Sequence, residues 1–252
     1  METHWLYSIL FVAGFSAGFV DAIAGGGGLI AVPVLLWTGL PPQIALGTNK
    51  LQSIFGTALA AWRYGSAGFL RWKTLVPGLA ITLIAAIVGA FAVSKIDAGF
   101  LRQLIPGLLI CIAIWLWLQP NLGLQQGTPR ISLTAFTILC GSILGFYDGF
   151  FGPGTGSFWT IACMLLLGLD LSAATGHTKA MNLASNLGAL VIFIPTSQIR
   201  YDFAAIMIMG QLIGARLGSG LVITRGSRFI RPIFLTVVVA IAARLLWQNF
   251  RS

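Results

Sequence analysis

Charge is what this chain has least of. Only 8% of its 252 residues are Asp, Glu, Lys or Arg, where an ordinary soluble domain carries about a quarter. Acidic residues are scarcer still, six against fifteen Lys and Arg. Cysteine is reduced to Cys111, Cys140 and Cys163, isolated in apolar stretches, with no C-x-x-C spacing and no nearby histidine pair, which excludes a disulfide framework and a thiolate metal site. These three read as small packing residues. Neither Asp21 nor Asp148 sits in a Gly-x-Gly-Asp motif, so an aspartyl intramembrane protease is not signalled, and Gly154-Thr155-Gly156-Ser157-Phe158 is not the Gly-x-Ser-x-Gly run of a serine hydrolase. No cofactor motif is found, and no cofactor or metal is expected.

What fills the sequence instead is apolar: 57% of residues are hydrophobic. The runs are too many and too evenly spread for one buried helix or a signal peptide, and no small-residue cleavage site closes the first of them. The chain is therefore expected to be an all-α, polytopic membrane protein. Spans are expected near residues 5–24, 43–62, 75–94, 100–119, 131–151, 172–195, 203–223 and 229–248, eight in all. Two shorter apolar pieces, 29–38 and 157–168, each follow a glycine cluster and read as half-helices or re-entrant segments. Most of the basic residues fall in the connections, as membrane orientation requires, so the net charge of +9 implies no nucleic-acid partner. Tryptophans such as Trp62, Trp72, Trp115, Trp117 and Trp247 lie near span ends, where an aromatic belt belongs.

The Gln-, Gly- and Pro-rich stretch from Gln119 to Pro129 divides the chain into a first repeat, 1–119, a linker, 120–130, and a second repeat, 131–252. Shifted by 127, Gly14, Gly18, Phe19, Asp21, Gly25 and Gly27 fall on Gly141, Gly145, Phe146, Asp148, Gly152 and Gly154. Shifted by 129, Ala45, Gly47 and Lys50 fall on Ala174, Gly176 and Lys179. Agreement of the acid, the glycine spacing and the lysine in one order marks an internal duplication. Loop charges put the 63–73 connection and the linker in the cytoplasm but give equal counts for parallel and inverted repeats. Inverted repeats are expected by analogy with transporters built on broken helices.

Within this duplication sit two lysines at apparent bilayer depth, where a charge costs on the order of 2.5 to 3.5 kcal/mol. Lys50 ends Gly47-Thr48-Asn49-Lys50 and Lys179 ends Gly176-His177-Thr178-Lys179. Polar residues continue one stripe beyond each: Ser53 and Thr57 in the first half, Asn182 and Asn186 in the second, with Gln52 and Ser185 nearby. The loops Gly25-Gly26-Gly27-Gly28 and Gly152-Pro153-Gly154-Thr155-Gly156 permit unwound backbone whose N–H groups, beside a helix start, attract anions. A substrate-binding site is expected from Lys50, Lys179, Thr48, Asn49, Gln52, Ser53, His177, Thr178, Asn182 and the two loops. Snorkelling of each lysine to an interface is the alternative. Asp21 and Asp148, just ahead of the loops, could pair with the lysines, cap the broken helices or carry a coupling proton. Arg216, in the Gly210-x-x-x-Gly214-x-Arg216-x-Gly218 ridge, is expected to snorkel outward while the glycines pack helices closely.

The run Gly18-Phe19-Val20-Asp21-Ala22-Ile23-Ala24-Gly25-Gly26-Gly27-Gly28, with Pro33, Ala45-Leu46-Gly47-Thr48-Asn49-Lys50-Leu51-Gln52-Ser53 and Thr175-Gly176-His177-Thr178-Lys179, resembles the sulfite exporter TauE/SafE family of membrane permeases, also known as toluene-sulfonate uptake permeases. The resemblance covers essentially the whole chain. It implies transport of small sulfur oxyanions or organosulfonates, such as sulfite, across a bacterial cytoplasmic membrane. Pro153 within the second loop and His177 depart from the pattern and bear on the substrate, not the architecture. A secondary carrier working by alternating access is the leading expectation, with the small anion and the lipid bilayer as partners. A passive anion channel is the main alternative, an intramembrane aspartyl-type hydrolase a lesser one. Direction, coupling ion and oligomeric state, including a homodimer, are left open by the sequence.

Overall fold

A computed structural model describes residues 3–70, 72–117 and 127–249. The described residues form nine helices and no strand: α1 (Thr3–Ala24), α2 (Gly28–Trp37), α3 (Pro42–Ser66), α4 (Trp72–Ser94), α5 (Ala98–Trp117), α6 (Leu133–Phe150), α7 (Thr155–Leu167), α8 (Leu171–Phe193) and α9 (Tyr201–Asn249). Of the expected linker, 120–130, only 127–130 lies within the described residues.

The helix limits follow local chemistry. Left-handed Gly25 ends α1, left-handed Gly39 follows α2, and Pro42 opens α3 at a position where its missing N–H costs nothing. In the second half left-handed Gly152, Gly154 and Gly168 bracket α7. The α8 N-terminus is capped by Asp170, whose carboxylate accepts from Ser172 N at 2.9 Å and Ala173 N at 3.1 Å. Asp170→Ala should lower stability by about 1 kcal/mol, read from denaturant unfolding in detergent, and an unchanged midpoint would deny the cap this role.

By length and composition, four helices among the described residues can cross a bilayer: His4–Ile23, Leu75–Ser94, Leu133–Phe150 and Tyr201–Arg225, which are α1, α4, α6 and the first half of α9. Their outer faces carry Val12, Ile84, Val88, Ile138, Ile143, Met209 and Ile213 exposed, as lipid contact requires. The helices α3 and α8 are as long, but the polar stripe lowers their hydropathy, and they lie within the bundle.

One expectation is corrected. The residues from Arg225 to Arg231, read as a connection between two spans, are helical, and 229–248 continues α9 rather than turning back. Arg225-Gly226-Ser227-Arg228 contains no proline and a single glycine, so nothing in it obliges the helix to stop. At 1.5 Å per residue α9 is about 74 Å long, over twice a hydrocarbon core.

The halves interdigitate. Gly14 and Gly18 of α1 lie against Met207 and Gln211 of α9, while Gly210, Gly214 and Gly218 lie against Phe11, Phe15 and Phe19, so α1 and α9 run parallel. Likewise Gly141 and Gly145 on α6 lie against Ile81 and Thr82 of α4, followed by Gly149 against Ala86, again in parallel. Each half thus lends its first helix to the fourth helix of the other. The central pair is different. Gly47, early in α3, abuts Gln198 just past the end of α8, and Gly176, early in α8, abuts Tyr64 near the end of α3. The helices α3 and α8 are therefore antiparallel.

Trp62 is exposed, while the side chains of Trp72, Trp115, Trp117 and Trp247 lie outside the described residues. Trp159 is unlike a belt residue: it is buried in α7 against Phe136.

Candidate functional site

Neither lysine reaches the surface. Lys50 is 1% exposed and Lys179 is fully buried. Each crosses to the other half for its partner: Lys50 Nζ donates to Asp148 Oδ1, and Lys179 Nζ donates to Asp21 Oδ2 at 2.9 Å and to the Asp21 carbonyl oxygen. A buried ammonium is tolerable when paired and hydrogen-bonded, and antiparallel α3 and α8 bring each lysine to the acid at the end of the opposite half's first helix. Asp148 has a second donor, the Ser185 hydroxyl on Oδ2.

The glycine loops meet between these pairs. A Cβ on Gly25 would lie 2.3 Å from the Gly156 carbonyl carbon, and one on Gly156 would lie 2.4 Å from Gly25 Cα, so only two glycines can cross there. Gly25 has φ +76° and Gly152 has φ +93°, the left-handed backbone that favours glycine. In the second loop Tyr147 Oη donates to the Pro153 carbonyl at 2.9 Å and Thr155 Oγ1 to the Gly152 carbonyl at 2.6 Å. Neither α2 nor α7 has a side-chain cap. Gly28 and Gly156 belong to the first turns of those half-helices, at the positive end of the dipole, where the Leu29, Ile30, Ala31, Thr155, Ser157 and Phe158 amides donate to carbonyls of the glycine loops.

A small polar cavity opens at this crossing. It is lined by Asp21, Gly25, Gly28, Asn49, Lys50, Ser53, Asp148, Gly152, Gly156 and Asn182 from the sequence-derived set, together with Thr57 and Asn186 of the two stripes. Its volume of about 20 Å³ is room for about one water molecule. The Asn182 Oδ1 atom is buried without a partner.

Other expected residues lie beside the cavity rather than in it. Lys179 sits behind Asp21. Gln52 Nε2 donates to Asn49 Oδ1 and to Ser53 Oγ, both at 3.0 Å, and so orients two lining residues. The Thr48 hydroxyl accepts from the Arg200 amide at 2.9 Å. Thr178 Oγ1 pairs with Thr160 Oγ1 at 3.0 Å, and the half-buried His177 places Nδ1 2.9 Å from the Ala173 carbonyl of its own helix. Gly26, Gly27, Gly154 and Thr155 shape the loops without lining the cavity. Arg216 is exposed. Tyr64, buried with its hydroxyl 2.8 Å from the Ala22 carbonyl, holds the end of α1 beside Asp21, a role that no motif in the sequence announces. Among the described residues no group of three or more His, Cys, Asp and Glu could hold a metal ion.

The chain is similar to known proteins along most of its length. The model of the family described as sulfite exporter TauE/SafE matches residues 10–245. A probable membrane transporter protein, ORF9, of Sinorhizobium sp is 39% identical over 241 residues, covering 96% of this chain and 92% of that protein. One from Haemophilus influenzae is 38% identical over 97% of this chain and 96% of its own length. YfcA of Escherichia coli K12, also a probable membrane transporter protein, is 38% identical over 99% and 93%. No solved structure gives a significant match.

Proposed function

The chain belongs to the sulfite exporter TauE/SafE family, a multi-pass protein of the bacterial inner membrane, and from that premise we propose that it is a secondary permease for small sulfur oxyanions or organosulfonates such as sulfite. The observation that carries this reading is the crosswise pairing of two buried lysines with two buried aspartates around the uncapped starts of two half-helices. An ammonium has three donors, and Asp148 takes one of those on Lys50. The others, with the Gly28 and Gly156 amides and the Ser53 hydroxyl, all of residues that line the cavity, supply the fixed donors that replace the water shell of an oxyanion. Lys179 acts on the anion through Asp21 rather than by contact.

A cavity of about 20 Å³ holds no sulfur oxyanion, so substrate entry requires the crossing to open. Both ion pairs bridge the two halves, so motion of one repeat against the other remakes the binding site as it changes the exposed side. This is the physical content of alternating access here. The carboxylates each face an ammonium instead of sharing a proton with one another, which is not the arrangement of an aspartyl hydrolase.

Sulfite, sulfate, thiosulfate, sulfoacetate and taurine can be compared for thermal stabilisation of the purified protein. A bound anion at one hundred times its Kd should add about 2.7 kcal/mol to apparent stability. At least one sulfur oxyanion is expected to do so, and no response to any would contradict the assignment. Trans-anion stimulation of flux is expected of a carrier, whereas flux that rises linearly and ignores the trans side would indicate a channel.

A further inference from the structure

The duplicated site is not symmetric at its acids, and the difference is built into the packing. Asp148 has both oxygens engaged, Oδ1 by Lys50 and Oδ2 by Ser185. The repeat mate of Ser185 is Gly56, 129 residues earlier, which offers no hydroxyl to Asp21. Serine cannot stand at that position without repacking, because a Cβ there would lie 2.4 Å from Nε2 and 2.6 Å from Cγ of buried Gln211. Among the described residues no hydrogen bond reaches Asp21 Oδ1. The Asp21 side chain is 11% exposed, against 5% for Asp148, and lines the cavity.

From this asymmetry, and resting on the anion-permease reading above, we propose that Asp21 carries the coupling proton and that Asp148 does not. Empty, the two lysines and two aspartates sum to zero. Adding a monovalent anion leaves one uncompensated negative charge in a low-dielectric site, a state that a proton on Asp21 Oδ1 neutralises. The carboxylate becomes a neutral acid, the anion binds, and on the far side both leave. Lys179 stays in place through this cycle, because it also donates to the Asp21 carbonyl oxygen, and its charge remains beside the site.

The charged and titratable groups facing Asp21 are few. Lys179 of α8 and Tyr64 of α3 lie against it, with Lys50 of α3 and Asp148 of α6 across the cavity. No residue of α2 is titratable, α7 has only Cys163, beside Cys140, and Arg216 of α9 is exposed.

Sulfite accumulation in proteoliposomes under an inward proton gradient tests the assignment. Uptake by protein-free vesicles is subtracted, and each variant is compared with wild type because sulfite itself titrates. Wild type should accumulate sulfite above the external concentration. In Asp21→Asn the gradient should cease to drive accumulation, and exchange should lose its pH dependence. Asp148→Asn, though impaired by the unpaired Lys50, should keep a gradient response in its residual flux. Should that variant not fold, Ser185→Ala, which frees one Asp148 oxygen, should keep it too. Gradient-driven accumulation surviving in Asp21→Asn, or a response lost in Ser185→Ala, would overturn the assignment. Wild type that exchanges sulfite with no response to a proton gradient, or with a sodium gradient as the driver, would overturn this inference alone. Wild type that neither binds nor exchanges sulfur oxyanions would overturn the permease reading beneath it.

Discussion

Lys50→Met is expected to lower the stability of the protein by about 3 to 5 kcal/mol, because it leaves the Asp148 carboxylate buried without its cation. Adding Asp148→Asn should recover most of that loss, since removing both members of a buried ion pair is commonly neutral when volumes are kept. Denaturant or thermal unfolding in detergent measures both variants. Equal destabilisation by the single and double variants would mean that the two side chains are not coupled across the halves. Lys179→Met with and without Asp21→Asn forms the mirror cycle. Its recovery should be less complete, because Lys179 also serves the Asp21 carbonyl oxygen, which no second substitution at Asp21 replaces.

The second large effect is expected at the crossing of the loops. Gly25→Ala forces a side chain into left-handed backbone, about 1 to 2 kcal/mol, and drives its Cβ into the Gly156 main chain, an overpacking cost of about 1 to 3 kcal/mol. Gly156→Ala meets the same obstacle from the other side. Gly39→Ala is the control: its φ of +87° carries the same backbone strain, but nothing lies within 4 Å of its Cβ. Unfolding should therefore report a smaller loss for Gly39→Ala than for Gly25→Ala, and only the latter should abolish anion-induced stabilisation. Equal losses would show that backbone conformation, and not the crossing, requires glycine at 25.

The parts of this site that the chain announces are those carried by residue type in fixed order. A lysine at the end of each Gly-x-x-Lys run, an acid ahead of each glycine loop and a polar stripe at helical spacing are visible because each is improbable in an apolar setting. The half-helices are visible for the same reason, since each follows a glycine cluster and has too few apolar residues to span a membrane.

Partnership across the halves is not visible. Asp21 is nearer in sequence to Lys50, and Asp148 to Lys179, yet each pairs with the other half's lysine, because antiparallel α3 and α8 place Gly47 at the end of α8 and Gly176 at the end of α3. Loop charges could not reveal that direction, since they give the same count for either symmetry, whereas the contacts of Gly47 and Gly176 show α3 and α8 to be antiparallel. Local motif membership also misleads about aim. His177 and Thr178 stand in the motif with Lys179, but successive residues on a helix point about 100° apart, and both side chains hydrogen-bond elsewhere. The unbroken course of α9 through Arg225–Arg231 has no sequence signal, because the charges that mark a loop between spans are equally compatible with a helix.

Exchange of labelled sulfite by proteoliposomes bearing Lys50→Met with Asp148→Asn tests the central claim most directly. In that variant the protein should unfold close to wild type, the charge sum is unchanged and the loops are intact, so only the donor aimed at the anion is missing. Exchange no faster than in protein-free vesicles is the predicted result. Exchange at the wild-type rate would contradict the account, because the anion would then be held without Lys50.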